Sequence, residues 1–241
     1  MRIAIISLGW LGSSLYDFWE DQGHEVFGTY HSSPKLKKNE QQYDFNNGVV
    51  PRQVMESDLI FFNLPPSKID SIDNYRRFIN ETSGQRIVFT SSTSVYGNEG
   101  IVNEDTTPVP ETSNGKFLVE LENLTLAHSD KNVVIRPAGL IGGDRHPGKF
   151  LSDKISRSHT SQKVNLIDRE DLITLIDKAI NQSSIQVLNV VNSHHPEKGQ
   201  YYIEYCKKNG LALPEFKENG SYKDKIVETK YEDFKVKTRL P

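Results

Sequence analysis

The chain opens with MRIAIISLGWLGSSL, residues 1–15, and this stretch decides the fold. A β-branched run from Ile3 to Ile6 leads into Ser7-Leu8-Gly9-Trp10-Leu11-Gly12, and apolar residues at helical spacing follow. A strand, a tight glycine turn and a helix together aim backbone N–H groups and a helix N-terminus at a diphosphate. The dinucleotide fingerprint is Gly-x-Gly-x-x-Gly, and Ser7 takes the place of its first glycine. Residues 7–12, the glycine turn, therefore predict a dinucleotide site, with a tight turn that binds nothing as the alternative.

The composition sets limits on the class of protein. The 241 residues suit one α/β domain with a small appended region. Lys and Arg number 29 against 32 Asp and Glu, with no basic block, which argues against a nucleic-acid partner. No apolar run approaches the roughly 20 residues that span a bilayer, so no membrane partner is expected. With a single cysteine, Cys206, no internal disulfide can form, and we interpret Cys206 as a packing residue. Because the sequence shows no leader pattern, we expect a soluble, cytoplasmic protein.

The rest of the chain alternates short apolar runs with helical patterns, as a parallel sheet covered on both faces requires. Strands are predicted over residues 3–6, 24–30, 41–44, 58–64, 86–90, 132–136 and 187–191. Helices are predicted from residue 111 or 113 to 128 and over residues 150–156, 170–180 and 197–209, and Phe234, Val236 and Leu240 suggest an edge strand. We therefore expect an α/β fold with a Rossmann-type, doubly wound parallel sheet. Residues 1–241 would form a single domain, with a small carboxy-terminal substrate region built mainly from about 140–241.

The end of the second predicted strand bears on the choice of cofactor. An NAD site places Asp or Glu there, about 20 residues after the glycine turn, to accept hydrogen bonds from the ribose. This chain has hydroxyl, aromatic and then lysine side chains instead: Thr29, Tyr30, His31, Ser32, Ser33, Lys35, Lys37 and Lys38. Such residues tolerate a 2′-phosphate better than an acid does, so we expect NADP, with NAD as the alternative and His31 beside the cofactor. A solvated loop is the other interpretation of these lysines.

Two further strand ends carry residues suited to a ligand. The sequence Asn63-Leu64-Pro65-Pro66 stops the fourth predicted strand, because proline removes ladder donors, and we expect Leu64 and Pro65 to border the cofactor. The hydroxyl-rich run, residues 91–97 (SSTSVYG), follows the fifth predicted strand. A serine in this run can donate a hydrogen bond to a substrate oxygen beside a nicotinamide ring.

These motifs, in this order, resemble the extended-type short-chain dehydrogenase/reductases. The resemblance is carried by the glycine turn, the hydroxyl-rich run, and four later stretches: residues 135–139 (IRPAG), 142–149 (GGDRHPGK), 164–171 (VNLIDRED) and 195–202 (HPEKGQYY). It narrows to small atypical members described as NAD-dependent epimerase/dehydratase-like proteins, and it covers nearly the whole chain. It implies an NAD(P)-binding protein related to sugar-nucleotide epimerases, dehydratases and reductases.

The resemblance also implies roles for particular residues. The diphosphate would lie on Ser7, Gly9, Trp10, Leu11 and Gly12. Ser92, four residues before Tyr96, matches the family's catalytic Ser/Thr. Pro137 and Gly139 would line the nicotinamide amide, and Arg145 and Asn165 would face the substrate. Asp171 would brace or cap the carboxy-terminal region.

The chain departs from the family at the catalytic Tyr-x-x-x-Lys pair, whose side chains share one helix face. Aligned from Pro110 and Glu122, the two positions fall on Asn114 and Leu118. A tyrosine, with a pKa of about 10, acts near neutrality only beside a stabilising ammonium, whereas Asn does not titrate and Leu carries no charge. The literal match from Tyr231 to Lys235 lies far from the hydroxyl-rich run, so we interpret it as coincidence.

Tyr96 and the Arg145-His146 pair are the candidates to replace the missing acid. The alternative for Tyr96 is a buried phenol that anchors its loop, and the alternative for Arg145 is a surface position. Arginine binds carboxylate and phosphate through two prongs, which favours an anionic contact. His194 and His195 lack spaced Cys or acidic partners, so we expect no metal site.

Three functions stay open at this point. The first is an oxidoreductase, epimerase or dehydratase acting on a small polar substrate, with catalysis by Ser92 and Tyr96. The second is a non-catalytic module that binds the dinucleotide or senses its redox state. The third is a fold without cofactor. Oligomeric state stays open as well, a homodimer included.

Overall fold

A computed structural model describes residues 1–98, 100–182 and 184–240, with Arg157 described by its backbone alone. The strands are β1 (Arg2–Ile6), β2 (Glu25–Tyr30), β3 (Glu40–Gln42), β4 (Leu59–Phe62), β5 (Arg86–Thr90), β6 (Gly100–Val102), β7 (Val133–Pro137), β8 (Gly139–Ile141), β9 (Ile155–His159), β10 (Leu166–Asp168), β11 (Val187–Val190), β12 (Glu215–Lys217) and β13 (Lys225–Val227). The helices are α1 (Trp10–Asp21), α2 (Arg52–Met55), α3 (Ile72–Glu81), α4 (Ser113–His128), α5 (Pro147–Leu151), α6 (Arg169–Ile180) and α7 (Lys198–Lys208). Across the described ranges, no helix combines the length and apolar character needed to cross a membrane.

Seven strands form one parallel sheet in the order β11-β7-β5-β4-β1-β2-β3. Strand β1 pairs with β2 on one side and with β4 on the other, so the chain order reverses at β1. In an open α/β sheet, this reversal point is where ligands bind, beyond the carboxyl ends of the strands. The doubly wound parallel sheet predicted from the sequence is confirmed.

The apolar runs are buried because helices cover both faces of the sheet. Successive residues of a strand point to opposite faces, and here Phe61 meets Trp19 of α1 with ring centroids 5.7 Å apart. Phe62 meets Tyr75 of α3 at 5.0 Å and Phe89 of β5 at 5.9 Å. All five side chains are at most 1% exposed. This packing fixes the carboxyl ends of β1, β4 and β5, which carry the predicted site.

A second, smaller cluster of buried residues lies in the later part of the chain. It comprises Ile141, Val164, Leu166, Tyr201, Tyr202 and Leu240. Three further two-stranded parallel ladders pair β8 with β10, β9 with β12, and β6 with β13. The cluster falls within residues 140–241, for which the sequence predicts a substrate region.

Two predicted elements differ from the observed ones. The helix predicted over residues 150–156 is α5, which starts earlier because His146 caps it and Pro147 opens it. It ends before Asp153, whose φ of +58° is incompatible with a right-handed helix, and β9 follows. The predicted edge strand is also absent from the described residues 234–240: Phe234 is 1% exposed within a 3₁₀ turn, and Val236 forms only an isolated bridge with Asn192.

Candidate functional site

The glycine turn lies at the carboxyl end of β1, where the sheet order reverses. Ser7 has a φ of +78°, in the left-handed region that costs a residue with a Cβ about 1–2 kcal/mol. Two hydrogen bonds to β2 hold it there: the Ser7 N–H donates to Thr29 Oγ1 (3.0 Å) and the Leu8 N–H donates to the Thr29 carbonyl (2.7 Å). The serine thus adopts the conformation that the fingerprint assigns to glycine, and the turn closes without the first glycine.

The two remaining glycines of the turn have different surroundings. A Cβ on Gly12 would lie 2.4 Å from the Ser7 carbonyl oxygen, so only glycine allows α1 to pack on the turn. A Cβ on Gly9 would meet no described atom within 4 Å. Helix α1 begins at Trp10, and no described side chain caps its N-terminus. The first N–H groups of α1 therefore adjoin open space, as an anion-binding turn requires.

A cavity of about 490 Å³ opens beside the glycine turn, between the ends of β1, β2 and β4. Its walls include Ser7, His31, Leu64 and Pro65, so the structure brings together four of the predicted cofactor residues. We call this space the turn cavity. Its volume is in the range of small-molecule sites.

The loop after β2 differs in one respect from the sequence-based expectation. Lys37 does not extend toward the turn cavity, because its ammonium binds Asp17 of α1 at 2.5 Å.

Asp44, a residue that the sequence did not point to, lines the turn cavity. Hydrogen bonds from the Asn47 side chain and the Asn46 and Asn47 N–H groups hold its pKa below the usual range. Its position just after β3 was the signal that could have identified it.

The hydroxyl-rich run follows β5 and begins a short 3₁₀ turn. Ser92 Oγ accepts a hydrogen bond from the Ser94 N–H (3.1 Å), which leaves the Ser92 hydroxyl proton available to another acceptor. Ser92 is half-buried, whereas the buried hydroxyl oxygens of Thr90 and Ser91 lack partners within the described part of the chain. The catalytic role of Ser92 stays a prediction, and its geometry suits a hydrogen-bond donor.

Tyr96 is 2% exposed, and its hydroxyl is fully engaged. It donates toward the Asn103 carbonyl (2.9 Å) and Asn189 Oδ1 (3.0 Å), and it accepts from Arg136 Nη1 (2.7 Å). Burial raises the pKa of this phenol. These contacts favour the anchoring alternative over proton transfer, and a catalytic role for Tyr96 stays untested.

Asn114 and Leu118 occupy the first two turns of α4. Asn114 is exposed, whereas Leu118 is 4% exposed and belongs to the core. The hydroxyl-rich run instead receives an ammonium from Lys225 of β13, a residue that the sequence did not point to. Lys225 Nζ donates to the carbonyls of Thr93 (3.0 Å) and Tyr96 (3.4 Å), and burial lowers its pKa.

The residues after β7 lie beside the hydroxyl-rich run, because β7 pairs with β5. Pro137 is buried at the end of β7, and Gly139 is exposed at the start of β8. Asn165 uses its whole amide on β13: Nδ2 donates to the Lys225 carbonyl and Oδ1 accepts from the Val227 N–H, both at 2.8 Å. This geometry favours a bracing role for Asn165, and its predicted substrate contact stays untested.

A cavity of about 850 Å³ lies between the loop at residues 141–146 and α7, and we call it the large cavity. Arg145, His146 and Tyr201 line it. His146 Nδ1 accepts from the Gly148 N–H (3.0 Å), so the ring proton of neutral histidine sits on Nε2 and is donated to the Tyr201 hydroxyl oxygen (3.1 Å). The Tyr201 hydroxyl proton is then free to point into the cavity.

His146 is expected to stay neutral well below pH 6, because burial lowers its pKa from 6.5 to about 4. The unfolded chain takes up a proton near pH 6.5 and the folded chain does not, so stability should fall as the pH drops from 6.5 toward 4. Two-bond ¹H–¹⁵N NMR of the imidazoles should show an Nε2-protonated ring, and Tyr201→Phe should shift its signals. An Nδ1-protonated ring, or one already charged at pH 6, would contradict this assignment.

The sequence also predicts that Cys206 is a packing residue and that His194 and His195 form no metal site. Cys206 is buried with Sγ 3.5 Å from the Gly148 carbonyl, and burial raises its pKa. His195 Nδ1 lies 3.0 Å from the Val164 carbonyl. In the described ranges, no three His, Cys, Asp or Glu side chains gather into a metal-binding group.

Comparison with known proteins finds relatives both in sequence and in structure. No family model matches the chain. The chain is 30% identical to Protein YeeZ of Escherichia coli K12 over 250 aligned positions, which cover 94% of this chain and 91% of YeeZ.

Two solved structures share the fold at low sequence identity. MoeE5 in complex with UDP-glucose and NAD superposes with a TM-score of 0.82 and 17% identity, covering 100% of this chain and 95% of MoeE5. A short-chain dehydrogenase/reductase superfamily protein from Agrobacterium tumefaciens with bound NAD gives a TM-score of 0.80 and 14% identity, covering 98% and 93%. The sequence-based resemblance to this fold is confirmed.

Proposed function

The chain belongs to the family of Escherichia coli YeeZ and has the fold of the extended short-chain dehydrogenase/reductases, and on this premise we propose that it binds a nicotinamide dinucleotide. One observation carries the proposal: Ser7 takes the left-handed conformation expected of the missing first glycine, so the glycine turn closes without it. Gly12 lets α1 approach, and open space lies above Gly9. The diphosphate would bind the first N–H groups of α1, and the adenosine half would enter the turn cavity.

The preferred dinucleotide in this proposal is NADP. No acid stands at residues 29–33, at the end of β2. Two carboxylates line the turn cavity, Asp44 and Asp70, and Asp44 already accepts hydrogen bonds from its own turn. A ribose 2′-hydroxyl therefore lacks, at the end of β2, the acceptor that NAD sites provide there. His31 is exposed at the cavity, and Lys35 and Lys38 are exposed in the loop that follows.

His31→Asp is expected to reverse the preference, weakening NADPH at least tenfold relative to NADH, because it places a carboxylate where the 2′-phosphate would lie. Isothermal titration of both reduced cofactors against wild type, His31→Asp and the uncharged control His31→Asn measures this. Wild type should bind NADPH more tightly than NADH. Equal affinities in wild type, unchanged by His31→Asp, would contradict the NADP assignment.

The substrate in this proposal is a small polar molecule held in the large cavity. Arg145 would border this molecule, and the Tyr201 hydroxyl would donate a hydrogen bond to it. The bound nicotinamide supplies hydride transfer, and Ser92 would hold a substrate oxygen beside it. UDP-glucose, the ligand of MoeE5, makes sugar nucleotides the first class to test.

Asn114 and Leu118 favour a second candidate, a module that binds the dinucleotide without turning it over. The two candidates separate in one assay: purified protein with NADP⁺ or NADPH is incubated with sugar nucleotides, and nicotinamide absorbance and product are followed. Turnover that Ser92→Ala abolishes, with cofactor affinity intact, supports the enzyme. Turnover no faster than the protein-free control, with tight cofactor binding, supports the binding module.

A further inference from the structure

Two guanidinium groups lie against the indole ring of Trp10. Arg145 Cζ lies 5.3 Å from the ring centroid, and Arg169 Cζ lies 4.9 Å from it. Trp10 is the first residue of α1, whereas Arg145 comes from the loop after β8 and Arg169 is the first residue of α6. Three segments distant in sequence therefore meet at the glycine turn.

Backbone geometry places both arginines. Gly142 and Gly143 have φ values of +120° and +56°, which close a turn in which Gly142 and Arg145 exchange two N–H to carbonyl hydrogen bonds of 3.0 Å. A Cβ on Gly142 would lie 2.9 Å from Asp168 Oδ2 and 3.2 Å from the Arg169 Cβ, so glycine is needed for this turn to pack on the start of α6. Asp168 in turn caps α6 through the Glu170 N–H (2.9 Å). The arrangement is built into the fold.

No described carboxylate neutralises the two arginines. Neither guanidinium has a carboxylate partner within the part of the chain that the structure describes. Arg169 Nε and Trp10 Nε1 are buried N–H groups that have no described hydrogen-bond partner. Two like charges at one ring repel each other, and buried donors without acceptors are costly. A doubly charged anion between the two arginines would offset their mutual repulsion and accept hydrogen bonds from the buried N–H groups.

We propose that Arg145 and Arg169 close over the diphosphate of the dinucleotide as a guanidinium pair supported by Trp10. This inference rests on the proposed function and adds two residues of the later chain to the cofactor site. The diphosphate carries two negative charges for two guanidiniums, and arginine binds phosphate oxygens through paired N–H groups. Because Arg145 also lines the large cavity, a bound cofactor fixes one wall of the substrate site.

The test is calorimetric titration of NADPH and NADH into wild type, Arg145→Gln, Arg169→Gln and the double variant, at several salt concentrations. Each single variant should bind about tenfold or more weakly, since hydrogen bonds between charged groups are among the stronger ones, and the salt dependence should become shallower. Arg52→Gln is the matched control, because Arg52 pairs with Glu56 on the exposed surface of α2.

Thermal unfolding without ligand separates binding from stacking. If the arginines serve the cofactor, their removal leaves the unliganded protein as stable as Arg52→Gln, since it also removes charge repulsion. Variants that bind like Arg52→Gln but unfold at lower temperature would overturn the inference and show a purely structural stack. Absence of binding by wild type itself would instead refute the proposed function.

Discussion

Gly12→Val is expected to abolish dinucleotide binding and to lower the free energy of unfolding by about 1–3 kcal/mol. The Cβ would lie 2.4 Å from the Ser7 carbonyl oxygen, and a backbone atom of a hydrogen-bonded turn cannot move aside cheaply. The side chain must therefore push α1 off the turn, and its first N–H groups lose their alignment. Calorimetric titration of NADPH and urea unfolding measure the two effects.

Gly9→Ala is the matched control within the same turn. No described atom lies within 4 Å of the Cβ it would add, so unliganded stability should stay close to that of wild type. NADPH affinity should still fall, because the methyl group enters the space assigned to the diphosphate. If Gly12→Val binds NADPH like wild type, the role given to the glycine turn is wrong.

Glu122→Ala is expected to lower the free energy of unfolding by about 3–5 kcal/mol, because it leaves a buried guanidinium without its counter-charge. Glu122 accepts two hydrogen bonds from Arg136, Nε to Oε1 at 2.9 Å and Nη2 to Oε2 at 2.6 Å. The two side chains are 2% and 5% exposed. Burial alone would lower the pKa of Arg136, but the contacts with Glu122 raise it overall.

The same change should loosen the hydroxyl-rich run, because Arg136 also donates to the Tyr96 hydroxyl. Urea unfolding gives the stability change, and amide hydrogen exchange of residues 91–97 reports the loosening. Glu56→Ala, which removes the exposed partner of Arg52, should cost less than about 1 kcal/mol. Similar losses of unfolding free energy in Glu122→Ala and Glu56→Ala would show that burial of the Arg136–Glu122 pair adds nothing to its effect on stability.

The order of strands and helices could be predicted from the sequence because it depends on local periodicity. The run Arg86–Thr90 was predicted with the bounds that β5 has, and α4 ends at His128 as predicted. Boundaries failed where one backbone conformation decided them, as at Asp153. Phe234 was assigned to an edge strand because an apolar side chain at that spacing suits either a strand or a buried turn.

The candidate site was predictable where it follows strand ends, and Ser7, His31, Leu64 and Pro65 do line one cavity. The site was not predictable where it depends on contacts between side chains that are distant in sequence. The Lys37 contact with Asp17, the Asn165 brace on Lys225 and the meeting of Arg169 with Trp10 span 20 to 159 positions. Such contacts depend on the packed fold and leave no local pattern.

Energy transfer from Trp10 to a reduced nicotinamide dinucleotide tests the central claim most directly. The chain has two tryptophans, and Trp19 is buried with its Nε1 bound to Asp177, so Trp10→Phe isolates the signal of the glycine turn. The account predicts saturable quenching of wild-type fluorescence by NADPH, stronger than by NADH, with most of the quenching lost in Trp10→Phe. Fluorescence that neither cofactor quenches to saturation would mean that the glycine turn binds no dinucleotide.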